Sequence, residues 1–80
     1  MTEQQIQSKI IKNLESKGYY CVKLIRTNKN GIPDVLAIKP NEVYFIEVKK
    51  PDGKLSKLQE WRIKELQDFG FLVDVKYGIN

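Results

Sequence analysis

The sequence predicts an α/β fold, in element order αβββαβ, with a mixed four-stranded sheet flanked by helices. Three observations carry this. Two stretches place apolar residues at helical spacing, and each opens on a capping-box pair, Thr2 with Gln5 and Ser56 with Gln59. Four runs are rich in β-branched and aromatic residues and are bounded by Gly, Pro and Asn. The chain has 80 residues, which allows one domain, expected over residues 1–80.

The first helix is expected over residues 2–17, where Ile6, Ile10, Ile11 and Leu14 form the apolar stripe and Gly18 closes it. YYCVKLIR, residues 19–26, reads as a strand, and TNKNG as a loop. Pro33 to Ile38 is a second strand, KPNE the turn, and Val43 to Lys49 a third strand. KPDGKL is a loop. The second helix starts at Ser56 and runs to about Phe69, with Gly70 ending it. FLVDVKY is the last strand. The four tyrosines are most simply strand residues, and Trp61 reads as core or subunit interface. Arg62 falls on the apolar stripe of the second helix, and the sequence gives no account of it.

Composition narrows the chemistry. There is no histidine, which removes His-based triads and most zinc sites. One cysteine, Cys21, rules out a disulfide within the chain and reads as a buried free thiol. The net charge is +4, with basic residues grouped at Lys23, Arg26 and Lys29 and at Lys49, Lys50, Lys54 and Lys57. A polyanionic partner and a well-solvated surface both suit that charge. No apolar stretch approaches the ~18 residues of a membrane span. No secretory pattern opens the chain, so the expected location is cytoplasmic.

The hairpin poses the sharpest question. If Ile38 pairs with Val43, antiparallel register sets Asp34 directly across from Glu47, with Cβ atoms about 5 Å apart. Like charges at that distance oppose each other unless a cation lies between them. Glu47 and Lys49 share a sheet face by period-two alternation, with Ile46 and Val48 on the other. Two readings stand. Asp34, Glu47 and the Val48 carbonyl suit a hard divalent cation such as Mg²⁺ or Mn²⁺. Alternatively, Asp34, Lys49 and Glu47 form an ion-pair cluster on an exposed sheet edge. Glu3 lies in the apolar stripe of its helix, as a site residue or as an acid favoured by the helix dipole. Gln59 is explained by its capping box, yet it shares a face with Ile63 and Leu66 and can point inward. Arg26 and Lys29 are candidates for phosphate contacts, or solvated loop residues.

Pro33-Asp34 followed by Glu47-Val48-Lys49 resembles the PD-(D/E)xK pattern of restriction-endonuclease-like nucleases. GIPD precedes a strand, FIEVK ends the next, KLSKLQEW follows, and a glutamate lies in the first helix. Together these resemble a stand-alone VRR-NUC domain, the small virus-type replication-repair nuclease module, over essentially the full chain. The resemblance implies a restriction-endonuclease-like core. Asp34, Glu47 and the Val48 carbonyl would hold Mg²⁺ or Mn²⁺, and Lys49 would position or deprotonate the attacking water. Glu3 would act behind the metal or water, and Gln59 would orient Lys49 or touch the nucleic acid. TNKN is shorter than the matching stretch of larger members, which places substrate contacts from that region in question.

The expectation is therefore a metal-dependent DNA endonuclease acting on branched DNA such as four-way junctions. Arg26, Lys29, Lys50 and Lys54 would contact the DNA, with no small-molecule substrate and no membrane. Its small size points to a homodimer. A non-cleaving nucleic-acid-binding subunit of a replication or repair assembly is the alternative. A small α/β interaction protein whose acids and lysines are surface ion pairs is the second.

Overall fold

The structure, a computed structural model, describes residues 1–79. Residue 80, the last of the expected domain, lies outside the described residues. Helix α1 spans Glu3–Ser16 and helix α2 spans Lys57–Asp68. Both predicted capping boxes form. Thr2 Oγ1 accepts the Gln5 N–H at 3.1 Å, and Gln5 Oε1 accepts the Thr2 N–H at 2.9 Å. Ser56 and Gln59 exchange the same bonds at 3.1 and 2.9 Å. Two otherwise unsatisfied N-terminal donors are thereby met at each helix.

Strands β1 (Tyr20–Lys23), β2 (Val35–Lys39), β3 (Glu42–Lys49) and β4 (Leu72–Tyr77) form one sheet in that order. β1–β2 and β2–β3 are antiparallel, and β3–β4 is parallel, with α2 as the crossover. The predicted order and the predicted hairpin register are both present, with Ile38 opposite Val43 and Val35 opposite Ile46. Pro40 and Asn41 make the turn, Asn41 at φ 64°, a position that asparagine tolerates better than most residues. β1 is shorter than the expected 19–26. Its partner β2 begins at Val35, and only one further bond, Leu24 N–H to the Asp34 carbonyl at 2.8 Å, extends the pairing. Tyr20, Tyr44 and Tyr77 are strand residues as expected, and Tyr19 lies just before β1.

The two helices divide the sheet between its faces. Ile6, Ile10 and Leu14 of α1 pack on Val35, Ala37, Ile46 and Val48, all nearly or wholly buried. α2 contributes one buried residue, Ile63, and contacts β4 most closely. Cys21 is half-buried rather than buried, because β1 is an edge strand. Trp61 is not a core residue. It is exposed on α2, with the Arg62 guanidinium 4.8 Å from its ring centroid. Among the described residues, no helix is long and apolar enough to cross a membrane.

The loop from Leu24 to Asp34 determines where the first acid lies, and it is fastened to α2. Arg62 Nε donates to the Asn30 carbonyl at 3.0 Å, while Arg62 Nη1 pairs with Glu65 Oε1 at 2.8 Å. This accounts for a cation on the apolar stripe: it clamps the loop to the helix. Next to it, Gly31 (φ 80°) lies so close to α2 that a Cβ there would meet Leu58 Cγ at 2.8 Å. Gly31→Ala is expected to destabilise the protein by about 2 kcal/mol or more, from left-handed strain plus overpacking. Urea unfolding of both proteins checks this; equal midpoints would mean the loop is not held as described.

Candidate active site

Glu47 occupies a strand with a neighbour on each side, and its side chain is 2% exposed. The apolar residues around it, Ile46 and Val48, point to the α1 core, which fixes Glu47 and Lys49 on the opposite face. Asp34 stands one residue before β2, where the register continues to Glu47 beyond the last strand pair, Val35 with Ile46. Asp34 Oδ2 accepts the Val48 N–H at 2.8 Å, so a backbone bond to β3 itself aims the second carboxyl.

The partners of Glu47 are few. Gln59 Nε2 donates to Glu47 Oε2 at 3.3 Å, and Lys49 Nζ lies 3.8 Å from the same oxygen. The other oxygen, Oε1, is buried and has no hydrogen-bond partner. A buried carboxylate oxygen with no donor is costly. The Glu47 carboxyl answers by holding its proton. Burial first, then the facing Asp34, and to a lesser extent Glu3, push its pKa up to about 8, against the pull of Lys49. With both acids ionised the pair repels; with a proton between them it does not.

The site is thus not an ion-pair cluster on an exposed edge, one of the two sequence readings. β3 is internal, Glu47 is buried, and, of the described acids, the ammonium of Lys49 approaches Glu47 alone, at 3.8 Å. Gln59 reconciles its two readings. Its Oε1 caps α2 while its Nε2 reaches Glu47. Glu3, half-buried at the first turn of α1, adds its negative charge to the environment of Glu47.

Arg26 and Lys29 are exposed on the loop and line an open cleft together with Asp34 and Gln59. Lys50 and Lys54 are exposed in the loop after β3, where the Gly53 N–H bonds the Lys50 carbonyl and the loop folds back over the stem of Lys49. Sequence reasoning missed the parts that hold the loop. Gly31 beside Asn30, and an arginine on an apolar stripe, were the available signals.

Chemically, the arrangement suits a hard cation. Two carboxyl groups face each other, one oxygen lacks a donor, and the burial that raises the Glu47 pKa would be offset by positive charge. No group of three His, Cys, Asp or Glu side chains able to hold a metal occurs among the described residues. Any cation here would take the rest of its ligands from backbone and water, as Mg²⁺ commonly does. In comparison with known families, the profile of the VRR-NUC domain matches residues 1–79. No curated protein matches the chain.

Because Glu47 binds its proton more tightly when folded, its contribution to stability is full below about 4.5, the ordinary value, and is lost as pH rises through about 8. In EDTA, the unfolding free energy is expected to fall between about pH 5 and about pH 8.5. Glu47→Gln, which cannot ionise, should flatten that fall and be the more stable protein at the upper pH. Urea titrations at several pH values test it; parallel profiles for the two proteins would rule out Glu47 as the source.

Proposed function

The chain belongs to the VRR-NUC domain family, a nuclease-type domain, and from that premise we propose that the protein is a metal-dependent endonuclease of branched DNA. The observation that carries the metal reading is Glu47: buried, facing Asp34, with one oxygen lacking any donor. Asp34, Glu47 and the Val48 carbonyl would hold Mg²⁺ or Mn²⁺. When bound, such a cation acidifies water and withdraws charge from a phosphoryl oxygen.

The chain's own groups perform the rest. Lys49, an ammonium at the mouth of the buried pair, would hold the attacking water or a phosphate oxygen in line with the scissile bond. Gln59 keeps the Glu47 carboxylate aimed. Glu3 adds negative charge behind it, which favours a bound cation. Arg26 and Lys29 line the cleft, and Lys50 and Lys54 are exposed in the loop after β3, so these four cations would contact the DNA backbone.

The same reading includes pairing of two copies. On the face away from α1, the β1–β3 part of the sheet carries Tyr20, Val22, Leu36, Ile38, Val43 and Phe45, with Tyr20 72% exposed. These six positions hold no charge in a chain of net charge +4. An uncharged apolar face is self-complementary where the rest of the surface repels its own copy. A homodimer would present two active sites to a branched substrate.

Cleavage is expected in Mg²⁺ or Mn²⁺ and not in EDTA, faster on four-way junctions than on matched linear duplex, and reduced about 100-fold or more by Glu47→Ala. Cutting of neither DNA, with salt-sensitive binding kept, would move the assignment to a non-cleaving binding subunit. Equal rates on both substrates would remove the branch preference alone. Millimolar Mg²⁺ should also raise the melting temperature by roughly 5 °C or more, a linkage effect absent if no cation site exists. For the dimer, sedimentation equilibrium should give twice the chain mass for the wild type and the single mass for Val43→Glu; a monomeric wild type ends that part of the proposal.

A further inference from the structure

We propose that Ile25 is an apolar wedge that enters the interrupted base stack of branched DNA beside the active site. The inference rests on the branched-DNA reading above and names the residue that reads the branch. Ile25 is 88% exposed, more than any other large apolar side chain described. Single exposed aliphatic residues are ordinary on protein surfaces. Ile25 is set apart by where it stands and by how the loop around it is held.

The loop is fastened on both sides of Ile25. On one side, the Leu24 N–H bonds the Asp34 carbonyl at 2.8 Å, which places Ile25 one residue from a direct tie to the site acid. On the other, Thr27 Oγ1 donates to the Lys29 carbonyl at 2.8 Å and accepts the Lys29 N–H at 3.2 Å. Arg62 then clamps the Asn30 carbonyl, and Gly31 lies against Leu58. An apolar group is thus presented to water on a braced loop, when a mobile loop would let it fold down onto the protein. Ile25 also lines the cleft that holds Asp34 and Gln59.

Its neighbours decide what it meets. Arg26 follows directly and Lys29 lies on the same cleft. These cations suit phosphate groups, so the surface that approaches Ile25 is a nucleic acid. The apolar surfaces a nucleic acid offers are its base faces and sugar edges. Aliphatic side chains do enter base steps, at the cost of unstacking them. In a continuous duplex that cost is charged in full. At a junction the stack is already broken, so the wedge gains its burial with less to undo. The loop therefore converts a defect in stacking into affinity, close to the acids that act on the strand.

The test uses a four-way junction with 2-aminopurine at the branch and a linear duplex of the same local sequence. Binding is read in EDTA, where cleavage does not intervene. Wild-type protein should raise the 2-aminopurine fluorescence of the junction. Ile25→Ala should abolish that rise and weaken junction binding about tenfold, the low end of what burying one aliphatic side chain yields. It should leave linear-duplex binding and the melting temperature unchanged, since Ile25 contacts water. Ile25→Phe should keep the signal. Unchanged fluorescence and affinity in Ile25→Ala overturn the wedge, as does an altered oligomeric state, which would make Ile25 a protein contact. Cleavage of the same junction is then measured in Mg²⁺. Cutting that is insensitive to Ile25 overturns the wedge alone. An Ile25-dependent signal without cutting overturns the nuclease and keeps the wedge. No binding to the junction overturns both.

Discussion

The burial of one carboxyl group on an internal strand constrains the rest of this molecule. Glu47 lies within the sheet, between residues that belong to the core, and 2% of it is exposed. An acid in that position is tolerated if it keeps its proton or if positive charge reaches it. Neighbouring elements are arranged accordingly. Gln59 supplies an amide donor, Lys49 an ammonium, and Asp34 faces it from the residue before β2. A stable hairpin would not place these acids together for its own sake. The proposed cation would supply the positive charge that this arrangement lacks.

The small core leaves room for this. α1 alone buries three apolar residues against the sheet, whereas α2 buries one. α2 is therefore held as much by polar ties as by packing: Gln59 to Glu47, Arg62 to Asn30, and the close approach of Leu58 to Gly31. Each tie ends on the site or on the loop that leads into it. α1 supplies most of the helical share of the core, and α2 most of the polar ties to Glu47 and the loop.

Most of this architecture was legible in the sequence. Both capping boxes, the element order and the hairpin register follow from local chemistry, since caps and turns are set by neighbours in the chain. Asp34, Glu47 and Lys49 could be brought together from register alone. Other features required the third dimension. The orphaned oxygen of Glu47, the second bond of Gln59 and the clamp made by Arg62 are contacts between distant segments, and no spacing rule reports them. Trp61 reads as core or subunit interface because it is large and apolar, and α2 presents that position to water, which removes the first. Cys21 reads as buried because it lies in the apolar run YYCVKLI, and the edge position of β1 leaves it half-buried.

Gln59 ties two events that are separate in most proteins. Its carbonyl oxygen closes the first turn of α2, and its amide nitrogen holds Glu47 across the sheet face. Fraying of that turn would therefore also cost Glu47 its amide donor. With α2 unwound, the hairpin and the Val48 N–H still hold Asp34 opposite Glu47, but Glu47 loses the Gln59 amide. The carboxyl is then held as firmly as the first turn of that helix, and no more.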